Sequence, residues 1–189
     1  MSIILASASP RRSELMQMLG VNVTVIPAKG EEHPPENAGP EETVRALSLA
    51  KAREVAEKCG CDDVIIAADT IVWHGGRILG KPHSEDEAKK MLMTLSGGRH
   101  EVYTGVTVIR GSRVLCEAEV SQVFFRNIEP KEIDAYIATG EPMDKAGSYG
   151  AQGKGAIFVE RIDGDFFNVM GLPLCRLAEM LKKQGVEIL

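Results

Sequence analysis

Ten residues constrain this chain more than any others. Val64 to Trp73 reads Val-Ile-Ile-Ala-Ala-Asp-Thr-Ile-Val-Trp, apolar throughout except for Asp69 and Thr70. A run of that kind is a strand covered on both faces, which requires a sheet with helices packed against it. The flanking sequence supplies them. Ser2 to Ala6 is a short buried strand. Ser9 caps and Pro10 opens a helix that ends at Gly20, and Val21 to Ile26 alternates toward a second strand. Thr43 opens a long helix with Val44, Leu47, Ala50, Val55 and Ala56 at roughly helical spacing. Gly75-Gly76 turns the apolar run into a short partner, Arg77 to Leu79, and Ser84 with Glu87 forms a capping box for the next helix. His100 to Arg110 and Arg113 to Arg126 read as a hairpin, Pro130 to Thr139 as a helix, and Pro173 to Lys183 as the closing amphipathic helix. Gly155 to Ile162 and Phe166 to Val169 read as a second hairpin around Asp163-Gly164. Hairpins mixed with helical crossovers give an α/β fold with a mixed sheet, and no linker divides the 189 residues. A single domain over 1–189 is the expectation.

Composition narrows the function. Lys plus Arg total 22 against 27 Asp plus Glu, a formal net charge of -5. That balance disfavours a nucleic-acid-coating protein, as does the lack of a basic cluster interleaved with aromatics. No apolar run approaches the roughly 20 residues that cross a bilayer, and Met1 to Ala6 lacks the basic stretch of a signal peptide. The four cysteines make a poor disulfide framework: Cys59 and Cys61 are separated only by Gly60. Reduced thiols in a cytoplasmic protein are expected.

Three places carry chemistry. Leu5-Ala6-Ser7-Ala8-Ser9-Pro10-Arg11-Arg12 is a strand, a small-residue loop and a helix with two arginines in its first turn. Arginines oppose the helix dipole there, and an anion in the gap reconciles the two. Asp69 is a carboxylate in a buried strand, which needs a partner: backbone N–H groups, a metal, or a proton it handles as a base. Glu31-Glu32 in the polar loop Lys29 to Pro40 offers a second acid. Lys51 on the long helix and Lys81 in Gly80-Lys81-Pro82 are cations, and Asp144 to Gly155 is a glycine-rich stretch in which Gln152 can read a base edge.

These segments resemble a known family. Ser7-Ala8-Ser9-Pro10-Arg11-Arg12, Ala68-Asp69-Thr70, Gly80-Lys81-Pro82, Leu95-Ser96-Gly97, Tyr103-Thr104-Gly105, Asp144-Lys145-Ala146-Gly147, Gln152-Gly153 and Gly171-Leu172-Pro173 look like the Maf nucleoside triphosphate pyrophosphatases, in family order and over nearly the whole chain. The resemblance implies a Maf/inosine-triphosphatase-like α/β fold, an elongated mixed sheet flanked by helices with a cleft between two lobes. It implies hydrolysis of a nucleoside triphosphate to monophosphate and pyrophosphate with a divalent metal, usually Mg²⁺, with Mn²⁺ as a substitute, and a homodimer. By position, Asp69 matches the catalytic carboxylate. Ser7, Arg12, Lys51 and Lys81 match phosphate-binding residues, and Asp69 with Glu32 matches the metal carboxylates, Glu31 remaining the alternative to Glu32. Arg11, Thr70 and Gln152 match the three positions that mark the dTTP/UTP branch, with a housecleaning role for modified pyrimidine nucleotides. The other readings are an inosine/xanthosine triphosphatase and a non-catalytic nucleotide-binding regulator of septum formation.

Overall fold

A computed structural model describes all 189 residues, Met1–Leu189. The chain folds as two compact units. One comprises Met1–Asp69, Thr104–Glu119 and Gly171–Leu189, the other Thr70–Tyr103 and Val120–Met170. The strands β1 (Ile3–Leu5), β2 (Thr24–Val25), β3 (Val64–His74), β5 (Arg99–Arg110), β6 (Arg113–Phe125) and β7 (Val159–Asp163) are ordered β2-β1-β3-β5-β6-β7 in one sheet, and β4 (Arg77–Leu79) pairs with β3 off that path. The sheet is mixed: β1 runs parallel to both β2 and β3, while β3–β4 and β6–β7 are antiparallel.

The first unit holds two crossovers. β1 leads through α1 (Pro10–Met18) to β2, and β2 leads through α2 (Pro40–Ala56) to β3 on the other side of β1. Parallel neighbours require such helical returns. Because the first crossover leaves β1 in one direction and the second comes back in the other, the strand order switches between β1 and β3. In open α/β sheets that is where a ligand crevice opens, beyond the carboxyl ends of the strands. Ile3, Ile4 and Leu5 face Val64, Ile65 and Ile66 in register, and the Ala6 N–H donates to the Ile66 carbonyl at 2.7 Å. Ser7 and Asp69 both follow this paired stretch. Behind it Ile4, Ala6, Ala52, Val55, Ile65, Ala67 and Ile109 form a core under α2.

Gly105 decides how α2 seats. A Cβ there would lie 2.1 Å from the Val44 carbonyl oxygen and 2.8 Å from the Arg45 nitrogen, so only glycine lets the helix backbone rest on β5. The neighbouring Ser48 and Thr107 hydroxyls, both buried, bond to each other at 2.9 Å.

The second unit has its own core, in which Ala88, Leu92 and Leu95 of α3 (Glu85–Leu95) and Ile133, Tyr136 and Ile137 of α4 (Pro130–Ile137) surround Phe125, Tyr149 and Phe158. Three segments differ from the expected elements. Phe166–Met170 is helix (α5), not strand, because the Asp165 carboxylate accepts the Phe167 N–H at 2.7 Å and its carbonyl accepts the Val169 N–H, starting a helical turn. Of Gly155 to Ile162, only the end from Val159 is strand; Lys154–Phe158 forms a 3₁₀ turn. In the first unit, α2 begins at Pro40 rather than Thr43. Gly39 is extended at the cap, proline suits the first helical position, and Glu41 and Glu42 favour the positive end of the dipole. The closing helix, α6 (Leu174–Lys183), is as expected.

Two caps also differ from expectation. Ser9 stands at the cap of α1 but its side chain makes no capping bond. Ser84 accepts the Glu87 N–H, yet Glu87 returns its carboxylate to the His83 N–H, one residue before the cap.

Candidate functional site

Lys51 is the centre of the arrangement. Its ammonium lies 2.5 Å from Asp69 Oδ1 and 2.7 Å from Glu32 Oε1. Asp69 is buried, with 7% of the residue exposed, so this pair sits where one charge without the other would be costly. Three distant segments meet at one nitrogen: a polar loop, a helix and the apolar strand. Of the two candidate loop acids, Glu32 makes the contact. Glu31 instead stands 3.9 Å from His33 with its side chain 90% exposed.

Arg12 closes the site from α1. Its Nε donates to the Gly171 carbonyl at 2.8 Å, and Nη1 donates to the Ala68 carbonyl at 2.8 Å and the Ser7 hydroxyl at 3.1 Å. The Ser7 oxygen also accepts the Ser9 N–H at 3.2 Å, which holds the small-residue loop in shape. Burial lowers the Arg12 pKa; Asp69 favours the charged form, Arg11 opposes it, and Glu32 favours it. Arg12 thus clamps the residue before Asp69 to the start of the closing Gly171-Leu172-Pro173 segment. Ser7, Arg11, Arg12, Glu32, Lys51 and Asp69 all belong to the first unit.

Thr70, Lys81 and Gln152 belong to the second unit. Lys81 is exposed in the turn after β4, where the Gly80 carbonyl accepts the Gly147 N–H at 3.0 Å, tying two of the motifs together. Gln152 is exposed on a loop that is built rather than slack. The Tyr136 hydroxyl donates to Glu141 Oε1 at 2.9 Å and accepts the Gly150 N–H at 3.1 Å. Glu141 accepts the N–H groups of Lys154 and Gly155 at 3.0 and 3.2 Å. Both ends of the segment bearing Gln152 are therefore pinned. Burial raises the Glu141 pKa, but the Lys154 and Gly155 N–H groups and the Tyr136 hydroxyl outweigh it, and the pKa is lowered.

Sequence reasoning missed Glu141 and Tyr136, and also Glu54. Glu54 accepts the N–H groups of Lys29 (3.0 and 3.1 Å) and Gly30 (3.0 Å) and the Lys58 ammonium (2.9 Å). Nothing in the spacing marks it. A glutamate four residues before a lysine on a helix reads as an ordinary surface pair.

No group of three or more His, Cys, Asp or Glu side chains is arranged to hold a metal ion. Glu32 and Asp69 are two hard oxygen donors facing one ammonium. That donor set suits Mg²⁺, which takes one or two carboxylates and fills the rest of its shell with water and substrate phosphate.

Residues 2–184 match the family described as Maf-like protein. The chain belongs to the Maf family. Full-length relatives agree. Proteins from Bacillus cereus, Bacillus thuringiensis subsp. konkukian and Bacillus anthracis, each named dTTP/UTP pyrophosphatase, are 48% identical over 98% of this chain and 97% of theirs. A looser likeness in shape joins this Maf chain to a HAM1 protein from Coxiella burnetii, at a TM-score of 0.45 and 19% identity over 66% of this chain and 73% of that one. A likeness at that level adds nothing to the assignment. No helix is long and apolar enough to cross a membrane.

Proposed function

We propose that this chain hydrolyses dTTP and UTP to the monophosphate and pyrophosphate, with Asp69 as the reacting carboxylate. The observation that carries the reading is the convergence of Lys51, Glu32 and Asp69 in a chain whose full-length relatives bear that activity in their names. A triphosphate brings about four negative charges, and a site for it must offset them as charge builds on the departing pyrophosphate. Arg12 and Lys51 are the cations of the first unit for that task, with Ser7 as a neutral donor. Lys81 is assigned to phosphate, and Arg11, Thr70 and Gln152 to the choice of base, on their motifs.

Lys51 occupies Asp69 Oδ1, which leaves Oδ2 to take a proton or a ligand. The step is attack of a water oxygen on the α-phosphorus. The new P–O bond forms as the bond between the α-phosphorus and the bridging oxygen breaks, the electron pair leaves with pyrophosphate, and the water proton passes to the carboxylate. Glu32 and Asp69 would hold a Mg²⁺, which supplies Lewis-acid polarisation of the phosphoryl oxygens when bound. Gln152 offers a donor and an acceptor, suited to N3–H and O4 of uracil or thymine.

Asp69→Asn tests the reading. The amide keeps the shape and an oxygen for Lys51 but cannot serve as base or as an anionic ligand. Turnover falls by at least about 100-fold, with melting temperature and circular dichroism close to the parent. A folded Asp69→Asn protein with full pyrophosphate release removes Asp69 from the chemistry. Hydrolysis in ¹⁸O-labelled water puts the label in the monophosphate; label confined to pyrophosphate moves the attack to another phosphorus. A substrate panel led by a purine triphosphate overturns the pyrimidine assignment.

A further inference from the structure

Glu32 lies on a loop exposed at most of its positions, yet it reaches a defined partner. Ordering a loop side chain over a cation costs conformational entropy, so something must fix where the loop begins. The Glu54 carboxylate does this at one point. It takes the N–H groups of two consecutive residues, Lys29 and Gly30, at 3.0 to 3.1 Å. Two successive amides on one carboxylate fix the direction of the chain as well as its position. Gly30 permits the approach: a Cβ there would stand 3.1 Å from Glu54 Oε2. Two residues on, Glu32 arrives 2.7 Å from Lys51. Lys51 and Glu54 are three residues apart on α2, which puts them on neighbouring points of one helix face. One helix therefore carries both the cation and the anchor of the acid that meets it. Lys58, the N–H groups of Gly30 and Lys29, in that order, hold the Glu54 carboxyl down to about 2.

We infer that Glu54 is a positioning residue: by gripping the Lys29 and Gly30 amides it sets Glu32 over Lys51 and so prepares the carboxylate pair for a divalent cation. The inference rests on the functional reading above, in which Glu32 and Asp69 hold the metal. It assigns Glu54 no contact with substrate.

The test uses Glu54→Ala, Glu54→Gln, Glu32→Gln and the Glu54→Ala/Glu32→Gln double variant of the full chain. In nucleotide-free protein, amide exchange at Lys29 and Gly30 accelerates at least about tenfold in Glu54→Ala, and Mn²⁺ affinity measured by electron paramagnetic resonance weakens by about 10–100-fold, the range for partners that orient ligands. With dTTP, the Mg²⁺ concentration for half-maximal rate rises by a similar factor while kcat at saturating Mg²⁺ stays within about twofold. Glu54→Gln keeps an acceptor oxygen and recovers part of the loss. The double variant is no worse than Glu32→Gln alone, because the anchor acts only through Glu32. Unchanged Mn²⁺ affinity in Glu54→Ala, or full additivity in the double variant, overturns the inference. Exchange and Mn²⁺ binding are read without substrate, so a chain that binds Mn²⁺ as described but releases no pyrophosphate sinks the hydrolase reading alone.

Discussion

Replacing Gly105 with alanine puts a methyl group where the backbone of α2 already stands. The new carbon would sit 2.1 Å from the Val44 carbonyl oxygen and 2.4 Å from its carbon, against an ordinary contact of 3.4 Å or more. The shortfall, 3.4 minus 2.1, is about 1.3 Å, and backbone rather than a mobile side-chain tip must supply it. The helix has little room to give, since Val44, Leu47 and Val55 are buried and Ser48 is bonded to Thr107. Overpacking of this kind costs about 1–3 kcal/mol; the upper end applies here. For a chain this long each kilocalorie moves the melting point by about 2–4 °C, so the expected fall is about 6–12 °C. The same displacement reaches Lys51, about two helical turns from Val44. Contacts of 2.5 and 2.7 Å do not survive a shift of that size. Misplacing a reacting group by about 1 Å can cost about 100-fold in rate. Thermal melts by circular dichroism and pyrophosphate release with Mg²⁺ and dTTP measure the two effects. A variant that melts within about 2 °C of the parent, less than one kilocalorie's worth, refutes the argument that this glycine exists to seat the helix.

Two further perturbations read the second unit. His100 is buried, its Nε2 is 2.7 Å from the Tyr149 hydroxyl, and its Nδ1 has no hydrogen-bond partner. Burial, with a small contribution from His74, pushes its pKa down from 6.5 to about 3. Between those values the unfolded chain binds a proton that the folded one does not, so stability is lost as pH is lowered, by at most about 1.4 kcal/mol per unit. Chemical denaturation at about pH 6.5 and about pH 5, above the range in which most carboxylates titrate, shows the loss in the parent, and a His100→Phe variant shows a shallower slope; equal slopes remove His100 as the cause. Glu141→Ala frees the N–H groups of Lys154 and Gly155 and the Tyr136 hydroxyl. At about 1.5–3 kcal/mol for each bond to a charged acceptor, trypsin cleavage after Lys154 accelerates at least tenfold, read by mass spectrometry. Unaltered cleavage means the Gln152 loop is held by something else.

Much of the fold was legible because secondary structure is written locally. The apolar run at Val64, the proline that opens α1 at Pro10 and the two-residue turn between Arg110 and Arg113 each lie within a few residues of what they specify. The misread segment at Phe166 shows the limit. The Asp163-Gly164 pair reads as a hairpin turn with strands on both sides, whereas the deciding group is the carboxylate of Asp165, which accepts the Phe167 N–H and starts a helical turn. Asp69 is legible because a charge inside an apolar strand must have a partner. Arg12 is legible as a cation, yet its carbonyl acceptors at Ala68 and Gly171 carry no side-chain signature and leave no trace in a sequence.

The chain's order of residues was enough to determine a mixed α/β sheet, a buried acid and membership of the Maf family, since each depends on neighbours along the chain or on motifs spelled out in it. Only the folded structure decided that Glu32 rather than Glu31 meets Lys51, that Glu54 holds the chain at Lys29 and Gly30 just ahead of Glu32, and that Gly105 sets the depth of α2. Those outcomes hang on segments far apart in sequence brought within 3 Å or so by packing, and at that range a shift of one residue in a loop or about 1 Å in a helix selects a different partner.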